Sequence, residues 1–481
     1  MGLFGHFSYL EFSNAMRTSV FAFNKGKPPA GFEPVRLHDL GIDQQGIFFT
    51  SPNGRGKAVV VSDGNELIVG FRGTDKSNDI RDYDNISFAK NYVRQFEPLL
   101  RKVADYARDN DLHVTFTGAS LGGAVTNIVA DRAHKRWGGA FEEASFIAIS
   151  SPYISNSRQA DLINFGFSND IVYHIVPGSW DRAEKANALP HIFLYQNHRF
   201  FRGNNLDDRV SVHKLGNYSD AIAALGELYL GDGRMLVDAL KPNSYVIFDN
   251  TREEVNGGQV RPPKGKPLII IGEDRPDKLN GAAGHKSGSH EEWIFGRGGN
   301  DRIIGRQGDD QLYGGEGNDR LIGGKGRDYL SGGPGRDQLY LEDDGDVANG
   351  GEGQDRFIVR NVLPRNDNGV LSAGGNDPPR FVIEDFVRGS DVLDLRRIDG
   401  NLERRGDQPL FFAGYHVHGE SEAADDLERG LVEDARPGSV TLYLDRDGNT
   451  HVLINRDTDA FAEMDILLLG DVGNIARDIL L

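Results

Sequence analysis

Gly118-Ala119-Ser120-Leu121-Gly122 fits the pattern G-x-S-x-G. It lies between a strand-like run, LHVTFT, and a helix-like run with apolar residues at Val125, Ile128, Val129 and Ala133. A serine on a sharp strand-to-helix turn has its hydroxyl in the open. The amide of the next residue, Leu121, then stands at a helix N-terminus, where it can bind an oxyanion. The pentapeptide alone is weak in a chain with 61 glycines, and its flanks supply the specificity. Such a serine needs a base and an acid; aspartates and histidines follow it in the order Ser, Asp, His that acyl-transfer folds of this kind use.

A second chemistry begins at Gly296, where the chain repeats every nine residues: GRGGNDRII, GRQGDDQLY, GGEGNDRLI, GGKGRDYLS, GGPGRDQLY, LEDDGDVAN, GGEGQDRFI. Asp301, Asp310, Asp319, Asp328, Asp337, Asp346 and Asp355 hold one register. The glycines, including Gly296, Gly298, Gly305, Gly314, Gly323, Gly332 and Gly350, permit a tight turn with carbonyls facing inward. The aspartate adds carboxylate oxygen, and hard oxygen donors suit Ca²⁺. The apolar eighth residue (Ile303, Leu312, Leu321, Leu330, Leu339, Phe357) is expected to point inside.

If nine residues make half a coil, residues eighteen apart stack one strand spacing away, ~4.8 Å. Asp301, Asp319, Asp337 and Asp355 would then line one edge, and Asp310, Asp328 and Asp346 the other. Without a cation these charges repel, so the roll is expected to fold when calcium arrives. Extracellular modules bind at ~10⁻⁴–10⁻³ M, empty in cytosol and filled outside. A flexible glycine-rich linker, the plainer alternative, would hold no register. In block 341–349, Leu341 and Glu342 replace the glycine pair, so a weak or absent site is expected there. An outlying copy, GEDRPDKLN, starts at Gly272.

The nonapeptides resemble RTX (repeats-in-toxin) arrays, which form parallel β-rolls. Gly118–Ala124 (GASLGGA), together with Phe71-Arg-Gly-Thr74, resembles class 3 lipases and the secreted bacterial family I.3 lipases. That resemblance implies an α/β-hydrolase fold and an oxyanion hole made by Thr74 with the Leu121 amide. It implies the acid at Asp170, after the strand-like LINFGF, where it would hold an imidazole in its tautomer. It also favours His213 as base, because Tyr218 and a helix-like run follow it as in the family; His198 stays open as the rival. The family commonly has His before the serine, and here Ala119 stands instead. The resemblance covers about 57–225 and 272–481; the first fifty residues match little.

These features need an organised chain around them, and its length of 481 residues allows two or three domains. Residues 1–240 alternate strand-like and helix-like runs, predicting the hydrolase domain. Lys57-AVVVS, Leu67-IVGF, Leu112-HVTFTG and Phe146-IAIS are the expected strands. Tyr92–Ala107 has helical spacing, with Pro98 kinking or starting the helix. Proline-rich 241–268 is expected to be a linker, 269–358 the roll and 359–481 a β-rich C-terminal domain. The final residues, Asp478-Ile-Leu-Leu481, set an acidic residue before a short apolar tail. That tail resembles a type I secretion signal, and it would equally suit an ordinary strand end.

The net charge of −18 argues against nucleic acid or an anionic membrane as an electrostatic partner. Without cysteine there are no disulfides, thiolate metal sites or cysteine nucleophile. The N-terminus does not read as a signal peptide. The resemblance implies a secreted, extracellular enzyme carried by a type I secretion apparatus. Its substrate would be a lipid or phospholipid ester met at a transient membrane or micelle interface. Asp75-KSNDIRDYDNISF, at the family's lid position, is polar, which tilts the substrate toward phospholipid; its Asp79, Asp82 and Asp84 are a solvated loop or a further calcium site. A calcium-dependent adhesin or toxin module with a vestigial hydrolase fold is the alternative.

Overall fold

The computed structural model describes residues 9–23, 26–52, 54, 56–73, 93–151, 155, 161–167, 192–197, 245–249, 255–256, 268–281, 291–343, 345–360, 381–400, 408–417, 436–456, 462 and 464–481. They fall into two compact units, 1–250 and 251–481.

In the first unit, β1 (Glu33–Pro34) and β2 (Phe48–Thr50) both run antiparallel to β3 (Lys57–Ser62). β3 is antiparallel to β4 (Glu66–Phe71). From there the sheet is parallel: β4, β5 (His113–Ala119), β6 (Ser145–Ile149), β7 (Asp161–Phe167), β8 (Ile192–Asn197) and β9 (Tyr245–Asp249), in that order. β9 lies within the proline-rich 241–268 stretch.

The two-residue side-chain period sorts the apolar runs onto opposite faces. Val60, Leu67 and Val69 join the larger core under two helices. Val59, Val61 and Ile68 join Phe21, Ala22 and Phe32 on the other side. The helices of the first face are α2 (Glu97–Asn110) and α3 (Leu121–Arg132). Pro98 sits in the first turn of α2, where a missing N–H costs nothing, and Val93–Phe96 before it is a 3₁₀ turn. The proline therefore starts the helix rather than kinking it. α1 (Tyr9–Ala22) covers the other face, with Ser19 Oγ 2.8 Å from Thr117 Oγ1. Its buried stripe includes Thr18 and Ser19 beside Phe12, Ala15 and Met16, so it lacks a clean apolar pattern in the sequence.

The second unit is a roll of two parallel sheets visited alternately. One holds Lys278–Asn280, Arg302–Gln307, Arg320–Lys325, Gln338–Leu341, Arg356–Arg360 and Val392–Arg397. The other holds Leu268–Ile271, Glu292–Gly298, Gln311–Glu316, Tyr329–Ser331, Asp346–Asn349 and Phe381–Ile383. Pairing is in steps of eighteen through the array, as Ile303↔Leu321 and Leu312↔Leu330 show. Ile303, Leu312, Leu321, Leu330, Leu339 and Phe357 are all fully buried between the sheets. Each such side chain contributes ~1.5–3 kcal/mol relative to exposure.

The roll continues past the last nonapeptide. Met464–Leu468 pairs parallel with Phe381–Ile383 and begins an antiparallel meander with Thr450–Ile454 and Ser439–Leu444. The terminal Ile479–Leu480 pairs with Leu393–Asp394 on the opposite sheet.

Candidate active site and calcium turns

Ser120 occupies the junction of β5 and α3, with φ 56° and ψ −125°. A left-handed φ on a non-glycine residue costs on the order of 1–3 kcal/mol and persists only where surrounding structure imposes it. Here the Ser120 N–H donates to Ile149 O at 2.9 Å, and its carbonyl accepts the Ala124 N–H at 3.1 Å. The turn is therefore clamped between the neighbouring strand and the helix it opens.

Glycines make the clamp possible. A Cβ on Gly122 would collide with the Phe71 carbonyl, and one on Gly118 would meet the Gly122 backbone at 2.5 Å. Gly73 lies against the same elbow, where an added Cβ would stand 2.6 Å from Ala119 O and 3.2 Å from Ser120 Cβ. The F-R-G element thus runs directly to the serine. Leu121 is the first residue of α3, so its N–H has no intrahelical acceptor.

Behind the elbow lies a buried polar network that sequence reading did not find. Asn127 Nδ2 donates to Gly123 O at 3.0 Å, to Asn164 Oδ1 at 2.8 Å and to Ser151 Oγ at 3.2 Å. Its Oδ1 accepts the Ser155 N–H at 2.9 Å. Asn127 therefore ties α3 to β7 and to the segment after β6. An asparagine inside a helical pattern carries no signal of this in one sequence. Thr74, Asp170, His213 and His198 lie outside the described residues, as do Asp79, Asp82 and Asp84.

The array aspartates form two ladders. Along one edge Asp277, Asp301, Asp319 and Asp337 each donate their N–H to Oδ1 of the next coil's aspartate, at 2.7–2.9 Å. Asp355 continues to Asp391 at 2.9 Å. Along the other, Glu292 donates to Asp310 at 3.0 Å, Asp310 to Asp328 at 2.9 Å and Asp328 to Asp346 at 3.1 Å. Glu292 stands nine residues before Asp301, so one more backward step of the register finds it. Asp391 lies beyond an interruption of the period and gives no such signal.

The second oxygen, Oδ2, of Asp301, Asp310, Asp319, Asp328, Asp337 and Asp355 is buried with no hydrogen-bond partner. At Gly296, Gly305, Gly314 and Gly332 a Cβ would collide with that oxygen and with a glycine carbonyl of the next coil. Unpartnered carboxylate and carbonyl oxygens converging on a space without side chains fit a hard divalent cation. No group of three or more acidic, histidine or cysteine side chains gathers among the described residues, so backbone carbonyls must complete any shell. Burial raises Asp310 to about 9, helped by the Glu292 and Asp328 charges, and raises Asp319 to about 8. At neutral pH such groups hold their protons until a cation takes their place.

The family model for the RTX calcium-binding nonapeptide repeat matches residues 287–321 and 322–357. Residues 287–357 are RTX repeats. The chain is also similar to a lipase from Pseudomonas fluorescens, 32% identical over 180 residues that cover 31% of this chain and 37% of the relative. A second Pseudomonas fluorescens lipase is 37% identical over 89 residues, covering 18% of this chain and 19% of that one. The chain thus matches well under half the length of these relatives. The crystal structure of the extracellular lipase LipA from Serratia marcescens superposes over 100% of both chains, with a TM-score of 0.54 at 16% identity. The chain therefore has an α/β-hydrolase fold and a parallel β-roll.

Proposed function

We propose that the chain is a secreted lipolytic ester hydrolase, folded by calcium and cleaving by acyl transfer through Ser120. The observation that carries this is the Ser120 elbow, a strained serine clamped between β5 and α3 beside Gly73. The similarity of the chain to lipases supports the acyl ester as substrate. His213, or His198 in its place, takes the Ser120 proton as the hydroxyl attacks the ester carbonyl; Asp170 holds the imidazole. The oxyanion is held by the Leu121 amide and by Thr74, and each such donor supplies ~3–4 kcal/mol of transition-state stabilisation. The proton passes to the departing alcohol, and water then cleaves the acyl-enzyme by the same route in reverse.

Calcium, when bound, would supply the positive charge that compensates the buried, unpartnered Oδ2 atoms, and so would favour the folded roll. Ligands of this type fill at extracellular concentrations, which supports an extracellular site of action and export by a type I secretion apparatus. The polar 75–88 stretch favours phospholipid, in the manner of a phospholipase A1, over triacylglycerol, with the enzyme meeting its substrate at a membrane or micelle interface.

The test is hydrolysis of phospholipid and of triglyceride by the wild type and by Ser120→Ala, each with and without a chelator. Loss of hydrolysis in Ser120→Ala with the fold retained is the expected result. Equal activity in that variant would overturn the Ser120 mechanism, and a wild type that hydrolyses neither ester would leave an adhesin or toxin module with a vestigial hydrolase fold as the better account.

A further inference from the structure

Nine aspartate turns lie on the two ladders, and they divide into two kinds by geometry. In six of them, at Asp301, Asp310, Asp319, Asp328, Asp337 and Asp355, Oδ2 is buried and unpartnered. In the other three the same oxygen accepts a backbone N–H from its own turn. Asp277 takes Glu273 N at 2.7 Å, and Asp391 takes Val387 N at 2.8 Å. Asp346 takes Glu342 N at 2.8 Å and Asp343 N at 3.1 Å.

Backbone conformation gives the same division independently. The residue four before the aspartate is left-handed in all six open turns: Arg297 (φ 75°), Arg306 (86°), Gly315 (96°), Gly324 (113°), Gly333 (99°) and Gly351 (90°). Its N–H is then spent elsewhere; Gly315 donates to Gly332 O at 3.0 Å and Gly333 to Gly350 O at 3.1 Å. Glu273, Glu342 and Val387, at the same place in the other three turns, are not left-handed, and their N–H groups reach the carboxylate. Two arginines held at positive φ show that the open form is imposed rather than merely permitted by glycine.

Two of the closed turns also carry a guanidinium. Arg297 Nη1 donates to the Gly272 carbonyl at 3.4 Å, at the head of the Asp277 turn. Arg360 lies 2.5 Å from Glu342 Oε1 in the Asp346 turn. All three closed turns sit where a ladder begins or ends.

We propose that Asp277, Asp346 and Asp391 form metal-free end turns, in which backbone amides do what calcium does at the six open turns. This rests on the reading that the open turns take calcium, and extends it to where uptake stops. A carboxylate capped by N–H donors is already compensated, and a cation entering there would have to displace those hydrogen bonds. The ends of the roll then stay closed without metal, while its middle depends on it.

The experiment counts calcium bound to the full chain by native mass spectrometry after chelation and retitration. Asp346→Asn and Asp391→Asn should retain the wild-type count, and Asp319→Asn should bind at least one ion fewer. Loss of calcium from Asp346→Asn or Asp391→Asn would overturn the proposal. If an end-turn variant fails to fold, the double variant Leu341→Gly/Glu342→Gly decides instead. It restores the glycine pair and should gain an ion, and an unchanged count overturns the proposal. A wild-type chain that takes up no calcium refutes the calcium reading itself, a distinct result.

Discussion

Gly122 lies so close to Phe71 that no Cβ can be placed between its Cα and the Phe71 carbonyl oxygen. The contact holds the helix that opens at Leu121 against the end of β4, beside Gly73. Gly122→Ala must push one of these backbones away. Overpacking of this kind costs typically ~1–3 kcal/mol. Urea unfolding should show that loss, and ester hydrolysis should fall with it, since the shift moves Leu121 relative to Ser120. An alanine variant as stable and active as the wild type would rule out the contact as a constraint.

Ser120→Gly separates stability from activity. Glycine tolerates φ 56° that serine does not, and the relief exceeds glycine's added entropy cost, for a gain of about 1 kcal/mol. The expected variant is inactive yet unfolds at higher urea. A less stable variant would show that the elbow is not strained.

His451 should make the second unit sensitive to alkali. Burial opposes its charged form, but Asp465, 2.9 Å from Nδ1, and Asp445, 3.2 Å from Nε2, outweigh it and raise it to about 9. A histidine with a raised native pKa gives stability that is full below ~6.5 and lost as pH rises through the native value. Melting followed from pH 6 to 10 should decline between about pH 6.5 and 9 and level off above, and His451→Gln should flatten that step. An unchanged step in the glutamine variant would assign it elsewhere.

Removing calcium should reverse the usual pH response of carboxylates. Burial raises Asp355 to about 6, Asp301 and Asp337 to about 7 and Asp319 to about 8. The stability from a raised carboxylate is full below ~4 and fades as pH climbs through its native value. In chelator, the strand signal of the roll should therefore weaken from pH 5 to 9; with calcium it should hold. Calcium binding should also tighten with pH, because protons leave as the metal enters. Circular dichroism of the two series checks this, and parallel curves would contradict it.

The period-based features were legible and the long-range ones were not. Seven aspartates in one register announced stacked turns, because a nine-residue period leaves few other ways to pair strands. The Ser120 turn was legible because three glycines and two flanking apolar runs leave a strand-turn-helix little freedom. α1 was not, since Thr18 and Ser19 interrupt its buried stripe and its partners, such as Thr117, lie about a hundred residues away. Nor was the closed turn at Asp391, which forms 36 residues after Asp355 across an interrupted repeat. The degenerate 341–349 block signalled a departure, but only the Glu342 and Asp343 amides show what replaced the missing glycines.

The alternation of the roll between two sheets imposes a parity on its length. Met464–Leu468 must arrive beside Phe381–Ile383, and Ile479–Leu480 beside Leu393–Asp394, on opposite sheets. Inserting one nonapeptide would deliver everything downstream to the wrong sheet and exchange the two ladders. Inserting two restores both. Duplicating 314–331 should therefore give a folded, longer roll, and duplicating 323–331 alone should not, a difference that calcium-dependent melting would reveal. Growth and loss in this array are confined to even steps.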